Sequence, residues 1–134
     1  MPISRKPGIP IVIIESPFAG NDKAHEDLHV EYARACLRDS LNRGEAPYAS
    51  HLLYTQPGIL DDDNPAEREH GISCGHLFLK RAADYVAVYA DMGISLGMQR
   101  GMMAAKECGR VVEFRSLWHK IDPNTGAIQP TGAL

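Results

Sequence analysis

A chain of 134 residues, 44% hydrophobic and 23% charged, has the size and balance of one globular domain with a buried core. A formal net charge of −3 and the lack of any long basic run argue against a nucleic-acid polymer as partner. No apolar segment reaches the roughly 20 residues that span a bilayer, and Met1 to Pro10 has Arg5 and Lys6 but no apolar stretch, so neither a membrane span nor a secretory signal is expected. The three cysteines, Cys36, Cys74 and Cys108, are odd in number and widely spaced, which favours reduced thiols in a cytoplasmic protein. No Cys-x-x-Cys occurs, and no metal or cofactor is expected.

Residues 1–9 read as a short polar arm. Pro10 to Glu15 is a continuous apolar run, the pattern of a strand covered on both faces. Ser16-Pro17-Phe18-Ala19-Gly20-Asn21 ends it as a loop, and Asn21 to Asp27 reads as polar and mobile. From His29 to Arg43, Val30, Ala33, Leu37 and Leu41 recur at helical spacing, with Gly44 in the C′ place. Ala46 to Tyr54 reads as a weaker strand, which Pro47 puts at a sheet edge. Thr55 to Asn64 is a loop. Asn64 and Pro65 then start a helix to about Ala83, with Gly71 and Gly75 weakening its middle. A second continuous apolar strand starts at Asp84. Ser95 caps a helix from Leu96 to Cys108, Arg110 to Leu117 is the fourth strand, and Trp118 to Leu134 reads as an irregular tail.

The order β-α-β-α-β-α-β implies a parallel sheet of four or five strands, right-handed crossovers and helices on both faces. With strand order 2-1-3-4, the loops after strands one and three flank a crevice at the carboxyl edge, where open α/β sheets bind ligands. That crevice would take Ser16, Phe18, Gly20 and Asn21 from one side, and Asp91, Gly93, Ser95, Gly97, Met98 and Gln99 from the other. Phe18 suits stacking on a flat base, Asp91 sugar hydroxyls or a base edge. The hydroxyl of Ser95 and the first N–H groups of its helix suit a phosphate. The alternative is that Phe18 belongs to the core and that Asp91 and Ser95 are turn and cap residues.

Other polar groups carry weaker signals. Asp61-Asp62-Asp63 lacks the calcium-loop pattern and reads as a solvated turn before a helix, leaving open whether Glu67 and Arg68 reach the crevice. His51 is either a ligand contact or a satisfied, half-buried histidine, and His76 reads as packing. No activated serine is marked, and the glycine spacing from Gly93 to Gly101 is neither a P-loop nor the dinucleotide fingerprint.

Several of these stretches resemble a known family. Ser16-Pro17-Phe18, Glu45-Ala-Pro-Tyr, Glu67-Arg-Glu69, and Ala83 to Tyr89 followed by Asp91 and Leu96-Gly97-Met98 are similar to the nucleoside 2-deoxyribosyltransferase superfamily. Its small relatives of unknown function, often found in phages and prophages, are the nearest in pattern, over roughly residues 10–117. The resemblance implies a flavodoxin-like, Rossmann-like three-layer sandwich with a nucleoside or nucleotide site at the strand-one/strand-three crevice. It implies that Ser16, Pro17, Phe18, Asp84 and Asp91 help to hold the ligand. It also implies N-glycosidic chemistry, in which a glutamate of the helix after Leu-Gly-Met attacks the anomeric carbon. Here that position is Gln99, or Gly101 in an alternative alignment, and neither carries a carboxylate. Family members pair subunits, so a homodimer or homotetramer is implied, with Trp118 anchoring the tail to a neighbour.

Three readings follow. One is a binder of a nucleoside, nucleotide or ADP-ribose-like ligand without family-type transfer, such as a phage protein sequestering a nucleotide signal. The second is an active N-glycosidase or deoxyribosyltransferase that uses another carboxylate, with Asp91, Glu15 and Glu113 as candidates. The third is an interaction module with a vestigial crevice.

Overall fold

The two continuous apolar runs become the centre of a four-stranded parallel sheet. The computed structural model describes residues 8–18 and 22–127. The expected crevice residues Gly20 and Asn21, most of the amino-terminal arm and the end of the tail lie outside them. β1 (Ile11–Glu15) pairs with β3 (Tyr85–Tyr89). The shorter β2 (Ala46–Tyr48) lies outside β1, and β4 (Val111–Arg115) lies outside β3, which gives the order β2-β1-β3-β4 expected from the sequence. Among the described residues four helices connect and cover the strands: α1 (Lys23–Asn42), α2 (Ser50–Leu53), α3 (Pro65–Ala82) and α4 (Leu96–Glu107).

The pleat of the central strands divides the core in two, because successive side chains point to opposite faces. Val12, Ile14, Ala87 and Tyr89 meet Tyr32 and Cys36 of α1. Ile13, Val86 and Val88 meet Leu79 of α3 and Met98 and Ala105 of α4. The result is a three-layer α/β sandwich with both central strands buried.

Two elements differ from the sequence expectation. α1 starts at Lys23 rather than His29, because the Asp22 side chain caps it by accepting the His25 N–H at 2.9 Å. The stretch from Ala46 to Tyr54 is a strand only to Tyr48. The Ala49 carbonyl then accepts the N–H groups of Leu52 (3.1 Å) and Leu53 (2.9 Å), and the chain turns into α2. Gly75 permits this turn to pack on α3, since a Cβ there would meet Ser50 Cβ at 3.0 Å.

On the α1 side a buried ion pair ties the outer strands together. Arg115 holds both oxygens of Glu45, at 2.8 and 2.6 Å, and donates to Glu113 at 2.6 Å and to the Tyr89 hydroxyl at 3.1 Å. Tyr85 and Ser40 also donate to Glu45, at 2.5 and 2.7 Å. The Arg115 and Glu45 side chains are only 3% and 6% exposed, so the pair is desolvated.

Removing one partner of such a pair strands the other charge. Arg115→Met is expected to lower the unfolding free energy by about 3–5 kcal/mol. Burial alone would raise the Glu45 pKa, but bonds from Arg115, Tyr85 and Ser40 outweigh it and hold the group at about 2, against 4.5 for a free carboxyl. Its stabilisation is therefore complete above pH 4.5 and lost as pH falls towards 2. Urea unfolding of both proteins across that range should show the gap between them narrowing on the acid side.

Candidate functional site

At the carboxyl edge, on the α3/α4 side of the sheet, the chain leaves a cleft of about 340 Å³. Its floor is Ile13 and Glu15 of β1. One wall is α2 and the length of α3 from Glu67 to Leu79, and the other is the amino end of α4. Gly75 and Gly101 are where these helices pass close to their neighbours, Ser50 and Glu15.

Glu15 ends β1 on the same pleat side as Ile13 and so faces α4. Gly101, buried on the sheet face of α4, lies directly against it: a Cβ there would sit 2.6 Å from Glu15 Cδ. Among the described residues no hydrogen-bond donor or cation holds the Glu15 carboxyl. Burial pushes its pKa from 4.5 up to about 8, so it carries a proton at neutral pH.

Beside it, the Ser16 hydroxyl and His51 Nε2 are 2.7 Å apart. Burial lowers the His51 pKa to about 4, which leaves a neutral imidazole. The Phe18 ring stands edge-on to His51 with centroids 6.5 Å apart and forms part of the cleft wall. On α3, Arg68 reaches Asp62 at 3.6 Å, and Glu67 accepts the Asp61 N–H at 2.8 Å. At the head of α4 the Ser95 hydroxyl accepts the Met98 N–H at 3.2 Å, while Ser95, Leu96 and Gly97 border the opening.

The structure thus gathers Ser16, Phe18, His51, Ser95, Gly97 and Met98 in one cleft. The remaining described sequence candidates are elsewhere. Pro17 is buried outside the lining, and Gly93 forms a turn at φ +90°. Asp84 lies at the opposite edge of the sheet, where its carboxylate accepts the Ile11 N–H at 2.7 Å. That is four residues, or roughly 13 Å, from the end of β1. Gln99 points one helical step away from Met98 and lines a separate groove with Met102, Phe114 and Asn124.

Asp91 is the largest correction. It continues the pleat side of Tyr89 and therefore faces α1, away from the cleft. Its carboxylate accepts the Tyr32 hydroxyl (2.5 Å), the Ser116 hydroxyl and the Leu117 N–H (2.8 Å), and its side chain is fully buried. Burial raises its pKa, yet these bonds win and hold it below the ordinary value. It anchors the chain after β4 to the loop after β3.

Several cleft residues were not singled out as ligand contacts from the sequence, Glu15, Arg68 and His76 among them. Glu15 was a candidate only by its position at a strand end. His76, expected to be packing, lines the cleft, as does Arg68. The one usable signal was strand parity from Ile13 to Glu15, which a continuous apolar run obscures.

Residues 10–115 match the family described as Domain of unknown function (DUF7768). The chain belongs to that family. A search of curated proteins finds no match. Among solved structures the chain is similar to a 2-deoxyribosyltransferase from Bacillus psychrosaccharolyticus, described as a biocatalyst for the synthesis of nucleosides. The two are 20% identical with a TM-score of 0.55, over 83% of this chain and 75% of that one, which shows a shared α/β fold. No described helix is long and apolar enough to cross a membrane.

The raised Glu15 pKa has a consequence for stability. Folding takes up a proton between pH 4.5 and about 8, so stability falls as pH rises through that window and levels off above it. Glu15→Gln removes this dependence. Relative to wild type the variant should gain stability from pH 4 to pH 9, at about 1.4 kcal/mol for each tenfold difference in proton affinity. Denaturation midpoints at the two pH values check it.

Proposed function

We infer that the chain binds a nucleoside or nucleotide in the β1/α2/α3/α4 cleft. The observation that carries this is the arrangement of its walls. An aromatic face (Phe18) and a neutral hydroxyl–imidazole pair (Ser16, His51) stand on one side, and the amino end of α4 with Ser95, Leu96 and Gly97 stands on the other. A base stacks on Phe18 and is read by the Ser16–His51 pair. The sugar lies over the β1 terminus. A phosphate, where present, meets the first N–H groups of α4 and the guanidinium of Arg68. The place is the switch point of the sheet, where this class of fold takes ligands. The likeness to a deoxyribosyltransferase of nucleoside synthesis supports the same ligand class.

Transfer through a carboxylate on α4 is not part of this reading. Gln99 lines the other groove and Gly101 has no side chain to offer.

Thermal shift with a panel of nucleosides, their 5′-monophosphates and ADP-ribose tests the proposal. A true ligand at 100 times its Kd should stabilise the protein by about 2.7 kcal/mol. Phe18→Ala should weaken binding by about 1–3 kcal/mol through lost stacking. Arg68→Ala should weaken monophosphates more than nucleosides. A panel with no shift at millimolar concentration would rule the reading out.

A further inference from the structure

We propose that the outer edge of β4, with the groove between it and α4, takes an extended acidic and apolar peptide segment of a partner protein, which joins the sheet as a further strand. The site lies on the flank of α4 away from the cleft and does not depend on the nucleoside reading.

The backbone of β4 supplies the first observation. β4 lies beyond β3 at the end of the strand order. In a parallel strand the N–H and C=O of one residue point to one side and those of the next residue to the other. The Arg115 carbonyl accepts the Ala90 N–H at 3.0 Å, so the odd-numbered residues of β4 bond towards β3. Val112 and Phe114 therefore present their N–H and C=O groups outwards. Part of that row is occupied: the Pro123 carbonyl accepts the Phe114 N–H at 2.7 Å, and Gly126 lies against the Phe114 ring. At Val112 no described residue pairs with the outward N–H.

The side chains supply the second. On the α4 side, Met102, Met103, Val112 and Phe114 line an apolar groove of about 580 Å³ along this edge. Met103 is 64% exposed, and Val111, on the opposite face of the same edge, is 69% exposed. A sheet edge is ordinarily guarded by charge, proline or a bulge, because its unpaired backbone is a template for further pairing. Here apolar groups flank it on both faces. A strand laid beside Val112 places alternate side chains over the groove and over Val111.

Charge selects the occupant. The ionisable groups lining the groove are Lys106 and Arg110, both cations. Lys106 has no ion pair among the described residues. Arg110 donates to the carbonyls of Ala83 (2.8 Å), Cys108 (2.9 Å) and Lys80 (2.9 Å), which fix its position and leave its charge without a carboxylate. An acidic side chain of the segment complements both. A second copy of β4 fits less well. Two such strands paired antiparallel about Val112 set Arg110 of each against Phe114 of the other, in the place that Pro123 fills. They also bring the cations of both copies to one interface.

The test is selection from a display library of random ten-residue peptides on the full chain, with Met103→Glu as the counter-target. Enriched sequences are expected to alternate apolar and polar residues and to carry Asp or Glu. The best of them, synthesised with blocked termini, is titrated by fluorescence anisotropy. Its affinity should fall by about tenfold or more in Met103→Glu and in Lys106→Glu. It should fall likewise in Val112→Pro, which removes the outward N–H at a sheet edge where proline is tolerated. Hydrogen exchange of the Val112 amide, slowed by the peptide, reports the same bond without a substitution. No enrichment over the counter-target, enrichment of basic sequences, apolar residues at helical spacing, or unchanged Val112 exchange overturns the proposal. Dimerisation of the chain that Met103→Glu abolishes overturns it in favour of a second copy.

Discussion

The pleat of the two central strands governs everything else in this molecule. β1 and β3 are covered on both faces, so each of their side chains is committed to one helix layer or the other, and a shift by one residue would exchange the two sets. Val12, Ile14, Ala87 and Tyr89 belong to the α1 layer, and Ile13, Val86 and Val88 to the α3/α4 layer. The same alternation carries past the strand ends. It delivers Glu15 to the cleft and Asp91 to the layer beneath α1. Two acids that look equivalent in sequence, each at the end of a central strand, therefore have opposite surroundings.

Those surroundings separate carboxylates that hold structure from one that borders the cleft. A buried charge is tolerated when hydrogen bonds and counter-charges replace water, as around Glu45 and Asp91. Both stay ionised, with pKa values held down by their donors. Glu15, half-buried at the cleft floor, has no such partner among the described residues, and its proton affinity rises instead. The sheet thus keeps its α1 side rigid with satisfied ionic groups and leaves its cleft side with a neutral acid and a neutral imidazole. Such a floor is compatible with an uncharged base or sugar.

Gly101 lets α4 pass close to the end of β1. The sequence resemblance implies a carboxylate projecting from the helix after Leu96-Gly97-Met98. In this chain the helix is bare at the point of closest approach, and a carboxyl from the end of β1 fills the space. The fold is held in common with the deoxyribosyltransferase.

The sequence alone determined the order of the strands and of the three long helices, the parallel sheet and its 2-1-3-4 arrangement, because apolar periodicity and punctuation by Pro, Gly and Asn are local signals. It also located the cleft-bordering Ser16, Phe18, His51, Ser95, Gly97 and Met98, since strand-to-helix loops at a switch point converge in any such sheet. It did not separate Glu15 from Asp91, or show that Asp84 and Gln99 face elsewhere. A continuous apolar strand has no alternation from which to read its faces, and a helix shows its partner only once it is packed. The start of α2 at Ser50 and the contact between Gly101 and Glu15 have the same origin. Each depends on how closely two elements distant in sequence approach, and only the tertiary structure decided that distance.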